Sequence, residues 1–196
     1  MLDVLITGHA TGFGKYLSEY LKDQGFSVTG VSRRTGHDIH ADRDKIVQLS
    51  LDHKVVINNA WCPYEPTAQS LLLHYIHSEW VSEDKSGTII SIGSRAAVEQ
   101  KETESMPDRD LAMGYLVYAA AKKGLLSKNA ELAKQRIDGI QVCCLNFGYL
   151  DTDQFKDKRV KIPLRNAVKV VEMVMRFAVS SPPIQIRDMT VEATRE

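Results

Sequence analysis

Leu5-Ile6-Thr7-Gly8-His9-Ala10-Thr11-Gly12-Phe13-Gly14 is the stretch whose reading decides the fold. Leu2, Val4, Leu5 and Ile6 make a short apolar run suited to a strand covered on both faces. Beyond the glycines, Phe13, Tyr16, Leu17, Tyr20 and Leu21 recur at helical spacing, and Gly25 stands where a helix commonly stops. A strand therefore turns sharply and opens a helix. Glycines in such a turn let backbone approach a diphosphate, while the first amides of the helix point donors and a positive dipole end toward it. An ordinary glycine-rich turn is the competing reading, and the rest of the chain has to decide between them.

The spacing differs from the common GxGxxG fingerprint: Thr7, Gly8, Gly12 and Gly14 spell TGxxxGxG. Three further elements follow in order, namely Asn58-Asn59-Ala60, Tyr118-Ala119-Ala120-Ala121-Lys122, and Asn146-Phe147-Gly148 with Thr152. Together they resemble the short-chain dehydrogenase/reductase family, paralleling its NNAG, YxxxK and NPGxxxT elements over nearly the whole chain. The resemblance implies an α/β doubly wound Rossmann fold with a parallel sheet of about seven strands in the order 3-2-1-4-5-6-7. It also implies one NAD(P)-binding domain over residues 1–196 with the active site built in.

The bulk numbers agree with a single globular unit. The 196 residues suffice for one domain with a full core, and 25 basic against 25 acidic side chains give no argument for nucleic acid or an acidic membrane surface. No apolar run approaches the roughly 20 residues that span a bilayer, and residues 1–10 already read as a strand without a basic leader. The cytoplasm is the expected location. Cys62, Cys143 and Cys144 are an odd set, two of them adjacent within a strand where they face opposite ways, so reduced structural thiols are expected.

Residues 26–31 read as the second strand, ending at Ser32-Arg33-Arg34. An acid at this point would bond ribose hydroxyls and select NAD, whereas arginine suits the 2′-phosphate of NADP. With two arginines and no acid, NADP(H) is favoured over NAD(H), a solvated turn being the bland reading. Residues 36–39 are expected to carry a short third strand, and the family resemblance sets Asp38 and Ile39 beside the adenine. His37 and His40 lack companion ligands, so no metal is expected. A short helix over 42–51 with Asp42 as N-cap leads to a fourth strand over 53–59.

Trp61 occupies the family's glycine position after Asn58-Asn59-Ala60; its side chain either swings over the pocket or crowds the nicotinamide side. The helix over 67–80 lacks the asparagine with which the family relays protons through a water, and Gln69 or Thr67 are the candidate substitutes. Residues 87–94 form the fifth strand, and matching its end to the family's serine element makes Ser94 the catalytic serine. Between Ser94 and Tyr118 lie 23 residues, many charged in 99–110, read as an inserted loop lying over the active site. That long separation is similar to members acting on nucleotide sugars, although their glycine motif differs and their extra C-terminal domain does not fit here. A helix starting at or just before Tyr118 runs to about residue 136, a sixth strand covers 140–145, a helix covers 166–179, and a last strand 184–191. Only 12 residues separate Thr152 from Arg165, so the family's substrate lid is missing or reduced to a loop.

The resemblance assigns Ser94, Tyr118 and Lys122 to catalysis. It assigns Thr7, Gly8, Thr11, Gly12, Phe13, Gly14, Ser32, Arg33, Arg34, Asp38, Ile39, Asn59, Ala60, Tyr118, Lys122, Gly148 and Thr152 to the cofactor, with Thr152 on the nicotinamide carboxamide. Lys122, four residues from Tyr118, shares its helix face and is expected to lower its pKa. Two function classes follow. One is an NADP(H)-dependent oxidoreductase moving a hydride between nicotinamide and a small-molecule carbonyl or alcohol, with Tyr118 as acid and base. The other is a redox-silent NADP(H)-binding sensor or partner-binding protein. A homodimer or homotetramer built on helices 67–80 and 118–136 is the expected assembly.

Overall fold

The computed structural model describes residues 2–99, 109–152, 160–180 and 185–193. Among the described residues, six parallel strands form one sheet: β1 (Asp3–Thr7), β2 (Ser27–Val31), β3 (Val55–Asn58), β4 (Gly87–Ser94), β5 (Ile140–Phe147) and β6 (Asp188–Val191). Five helices connect them: α1 (Gly12–Asp23), α2 (Arg43–Ser50), α3 (Ala68–Ser82), α4 (Arg109–Gln135) and α5 (Leu164–Ser180). The order across the sheet is β2-β1-β3-β4-β5-β6. This is the doubly wound Rossmann arrangement, with the switch between β1 and β3.

Strand alternation sorts the core onto two faces. Val4, Ile6, Val55, Ile57, Ile90 and Leu145 meet Leu17 and Leu21 of α1 and Val168 and Val171 of α5. Leu5, Val56, Ile89 and Val142 meet Leu72, Ile76 and Trp80 of α3 and Leu125 and Leu132 of α4. The neighbours Cys143 and Cys144 divide between these clusters as the alternation requires, and all three cysteines are buried and unpaired. Trp80 Nε1 donates to Ser50 Oγ at 2.9 Å, so burial of the indole leaves no polar atom unpaired and fixes α3 against α2.

The expected third strand over 36–39 is absent, which accounts for six strands where about seven were expected. A single 3-10 turn, Arg33–Thr35, ends at left-handed Gly36, and Asp38 Oδ1 accepts from the amides of His40 (2.8 Å) and Ala41 (3.3 Å). Side-chain bonds to backbone compete with a ladder and hold this segment as a turn. Asp42 precedes α2 without capping it; its carboxylate instead takes the Asp38 amide and the Lys45 ammonium. Helix α4 begins nine residues before Tyr118, so Tyr118 sits well inside it and the expected loop over 99–110 gives up Arg109 and Asp110 to helix. Residues 100–108 of that loop lie outside the described residues, as does Ile184 of the expected last strand.

The glycine turn depends on one close approach. A Cβ on Gly14 would stand 2.3 Å from the Gly8 carbonyl oxygen and 2.5 Å from Asn59 Nδ2. Gly14→Ala is therefore expected to destabilise the protein by about 1–3 kcal/mol, as overpacking does, and to weaken dinucleotide binding with it. Urea unfolding read beside cofactor titration checks this; unchanged stability contradicts the packing described.

Candidate active site

The carboxyl ends of the strands gather most of the residues singled out above. Gly8 takes φ +72°, left-handed backbone that favours glycine, and its amide donates to the Val31 carbonyl at 2.8 Å. Thr7 Oγ1 accepts from the amides of both Asn59 and Ala60 at 3.0 Å, and Asn59 Nδ2 returns a bond to the Thr7 carbonyl at 3.0 Å. The end of β3 is thus locked to the glycine turn. Thr11 stands extended before α1 and makes no side-chain cap, so the first amides of α1 receive no bond from the capping side chain. A diphosphate would satisfy them, and the residues present fit such a group. Phe13 packs on Phe147 at 5.6 Å, both rings buried. The phenylalanine in the family's proline position therefore faces the core under the turn.

At the end of β2, Ser32 is bonded through its backbone N–H and C=O to Thr35 Oγ1. Arg33 is hydrogen-bonded to the Tyr64 hydroxyl and lies 3.9 Å from Asp38 Oδ2. Arg34 forms no ion pair among the described residues. Asp38 spends its carboxylate on its own turn, and Ile39 is buried in the core face shared by α2 and α3. His9, to which sequence reading assigned no role, lays its ring where a Cβ of Gly30 would be, 2.3 Å from its Cγ. The glycine inside β2 was the available signal.

Ser94, Tyr118 and Lys122 come together where β4 ends beside α4. Ser94 and Tyr118 are hydrogen-bonded, and Lys122 Nζ lies 5.7 Å from the centre of the Tyr118 ring. Burial raises the Tyr118 pKa above the usual tyrosine value, the Ser94 bond draws it down, and Tyr115 nearby raises it again. The expected lowering is thereby corrected: helix spacing identifies the lysine neighbour but says nothing of desolvation. Burial also pushes Lys122 down to about 8. Its ammonium donates to Gln69 Oε1 at 2.8 Å and to the Ile92 carbonyl at 2.9 Å.

Gln69 is the more informative of the two candidate substitutes. Its Nε2 donates to the carbonyls of Asn58 (2.7 Å) and Ile92 (3.2 Å), so one buried amide ties β3, β4 and Lys122 together. The Thr67 hydroxyl is spent on Glu65. Trp61 stands edge to face on Tyr118, ring centres 5.1 Å apart at 88°. Gly148 donates its amide to the Val191 carbonyl at 2.9 Å, and Thr152 is bonded through its amide to Leu150, at the edge of residues 153–159 that lie outside the description. Among the described residues no group of three or more His, Cys, Asp or Glu is placed to hold a metal, and no helix is long and apolar enough to cross a membrane.

The family model described as NAD dependent epimerase/dehydratase matches residues 4–107. Among solved structures, the chain is similar to UDP-N-acetylglucosamine 4-epimerase from Bacillus cereus, with TM-score 0.71 and 16% identity over 98% of this chain and 78% of that one. It is similar to 3-ketoacyl-(acyl-carrier-protein) reductase from Brucella melitensis complexed with NADH, with TM-score 0.70 and 18% identity over 97% and 96%. It is also similar to 3-alpha-hydroxysteroid dehydrogenase from Pseudomonas sp. B-0831 complexed with NADH, with TM-score 0.67 and 16% identity over 96% and 95%. At these identities the likeness shows the fold. No curated protein matches the chain.

Proposed function

We propose that this chain, which belongs to the NAD dependent epimerase/dehydratase family and so to the short-chain dehydrogenase/reductase superfamily, is an NADP(H)-dependent oxidoreductase acting on a small-molecule carbonyl or alcohol. The observation that carries the reading is the Ser94–Tyr118 hydrogen bond with the Lys122 ammonium beside the same ring. The family match includes Ser94 but ends before Tyr118, so Tyr118 and Lys122 rest on their own geometry.

Thr7, Gly8, Thr11, Gly12, Phe13 and Gly14 would hold the diphosphate, with Asn59 and Ala60 beside them. Ser32, Arg33 and Arg34 would face the 2′-phosphate, Asp38 and Ile39 the adenine, and Gly148 and Thr152 the nicotinamide. The dinucleotide supplies or accepts the hydride. Tyr118 gives a proton to the oxygen of a carbonyl being reduced and takes one from an alcohol being oxidised. Ser94 holds that oxygen beside the tyrosine. A Lys122 charge 5.7 Å from the centre of the Tyr118 ring would favour the phenolate left when Tyr118 gives up its proton, while burial keeps the resting tyrosine pKa above its usual value. Gln69 acts through the lysine and is a positioning residue.

A pH dependence follows. Lys122 carries its charge below about 8 and loses it as pH rises through that value, so reduction is expected to fall on the alkaline side of about 8. Gln69→Leu removes one of the two acceptors of the ammonium. The charged form is then less favoured, and the inflection moves to lower pH. Profiles of kcat/KM for wild type and variant check this; coincident inflections contradict the role given to Gln69.

One observation favours the redox-silent reading: Trp61 covers part of Tyr118. A panel of aldehydes and ketones with NADPH, followed by loss of reduced-nicotinamide absorbance, separates the two. Turnover supports the oxidoreductase, whereas tight NADPH binding with no consumption across the panel supports the sensor. Buried reduced thiols support a reducing compartment such as the cytoplasm. Exposed Leu71 and Tyr75 on α3 and Met113, Leu116 and Val117 on α4 support a homodimer or homotetramer through those helices.

A further inference from the structure

The backbone that leads into Trp61 is fixed, because the amides of the two preceding residues both end on Thr7 Oγ1. The indole therefore projects from the carboxyl edge of the sheet on an anchored stem. It stands edge to face against the ring of Tyr118 at 5.1 Å between centres, and the hydroxyl of that tyrosine is bonded to Ser94. Trp61 Nε1 is buried and has no hydrogen-bond partner among the described residues. Buried donors are nearly always paired, so one left unpaired among the described residues, on a ring packed against Tyr118, calls for an acceptor such as a bound substrate oxygen. The neighbouring polar groups are committed: Gln69 to Asn58, Ile92 and Lys122, and Lys122 to Gln69 and Ile92. An indole N–H is an uncharged donor, which suits a neutral oxygen.

We propose that Trp61 is the specificity-determining residue of the substrate site: its ring restricts the space beside Tyr118 to compact carbonyl compounds, and its N–H donates to a second, neutral oxygen near the reacting carbonyl. The substrate class is then a small α-oxo or α-hydroxy ketone or aldehyde. This rests on the oxidoreductase reading above. It adds the claim that one side chain does two separable things, excluding bulk by its ring and recognising oxygen by its nitrogen.

The test uses NADP⁺ with ketones, a pairing that cannot react, so binding is read without turnover. Calorimetry measures 2,3-butanedione, 2-butanone and acetophenone added to the protein–NADP⁺ complex for wild type, Trp61→Phe and Trp61→Ala. One added hydrogen bond of ordinary strength predicts that wild type binds butanedione about ten-fold tighter than butanone and excludes acetophenone. Trp61→Phe keeps an aromatic wall and lacks the donor, so the ten-fold preference should vanish while acetophenone stays excluded. Trp61→Ala removes the wall and should admit acetophenone. NADP⁺ affinity, expected to be alike in all three proteins, verifies that the fold and cofactor site are intact. A butanedione preference that survives in Trp61→Phe, or acetophenone binding unaltered in Trp61→Ala, overturns the proposal while leaving the oxidoreductase reading standing. Absence of any ketone binding by all three NADP⁺ complexes overturns both.

Discussion

Tyr118→Phe is expected to retain the fold and NADPH affinity while lowering carbonyl reduction by about 10²- to 10⁴-fold, the range for losing a general acid. The substitution removes one hydroxyl and keeps the ring that packs against Trp61. The bond to Ser94 goes with the hydroxyl, at a cost to stability of about 1 kcal/mol. Steady-state kinetics beside thermal unfolding and NADPH titration separates the two effects. Because burial holds the Tyr118 pKa above its ordinary value, the hydroxyl is protonated throughout the neutral range and available as a donor. Retained activity in this variant would remove Tyr118 from the mechanism.

Replacing Arg33 and Arg34 together by alanine is expected to weaken NADPH by about 10²-fold and NADH hardly at all. Two charge-assisted bonds to a phosphate could reach more than this, but both guanidinium groups are exposed, which places the loss at the low end. The arginines are not equivalent. Arg33 must exchange the Tyr64 hydroxyl and Asp38 for a phosphate, whereas Arg34 has no ion pair to give up among the described residues. Arg34→Ala alone is accordingly expected to cost more than Arg33→Ala. Titrations of both cofactors into the three variants check this, and equal losses of NADPH and NADH contradict the assignment to the 2′-phosphate.

The parts of the fold that could be read in advance are those whose signal is local. Residues 87–94 form β4 with the expected bounds, since Thr88, Ile89, Ile90 and Ile92 make an apolar, β-branched run closed by glycine and serine. The turn from β1 to α1 was equally plain, because Gly8 and Gly14 answer to backbone geometry that few other residues satisfy. What escaped depends on partners distant in sequence. Arg33 is engaged by Tyr64, the fit of Phe147 is decided by Phe13, and His9 lies against Gly30. The early start of α4 escaped for a different reason: Met113, Leu116 and Val117 are exposed, so its first turns show no buried stripe. Choosing Gln69 over Thr67 needed to know which of two residues at the start of α3 turns inward, a distinction finer than helix ends can be read.

The central claim is direct movement of a hydride from the nicotinamide to a carbonyl carbon within a site where Tyr118 supplies the proton to the oxygen. Its most direct test is reduction of a responsive ketone with NADPH deuterated at the transferable position, with the alcohol product examined by mass spectrometry and NMR. The account predicts one deuterium on the carbinol carbon, derived from the cofactor, with the hydroxyl hydrogen drawn from solvent. A carbinol hydrogen derived from solvent, or an alcohol free of label while NADPH is consumed, would contradict it.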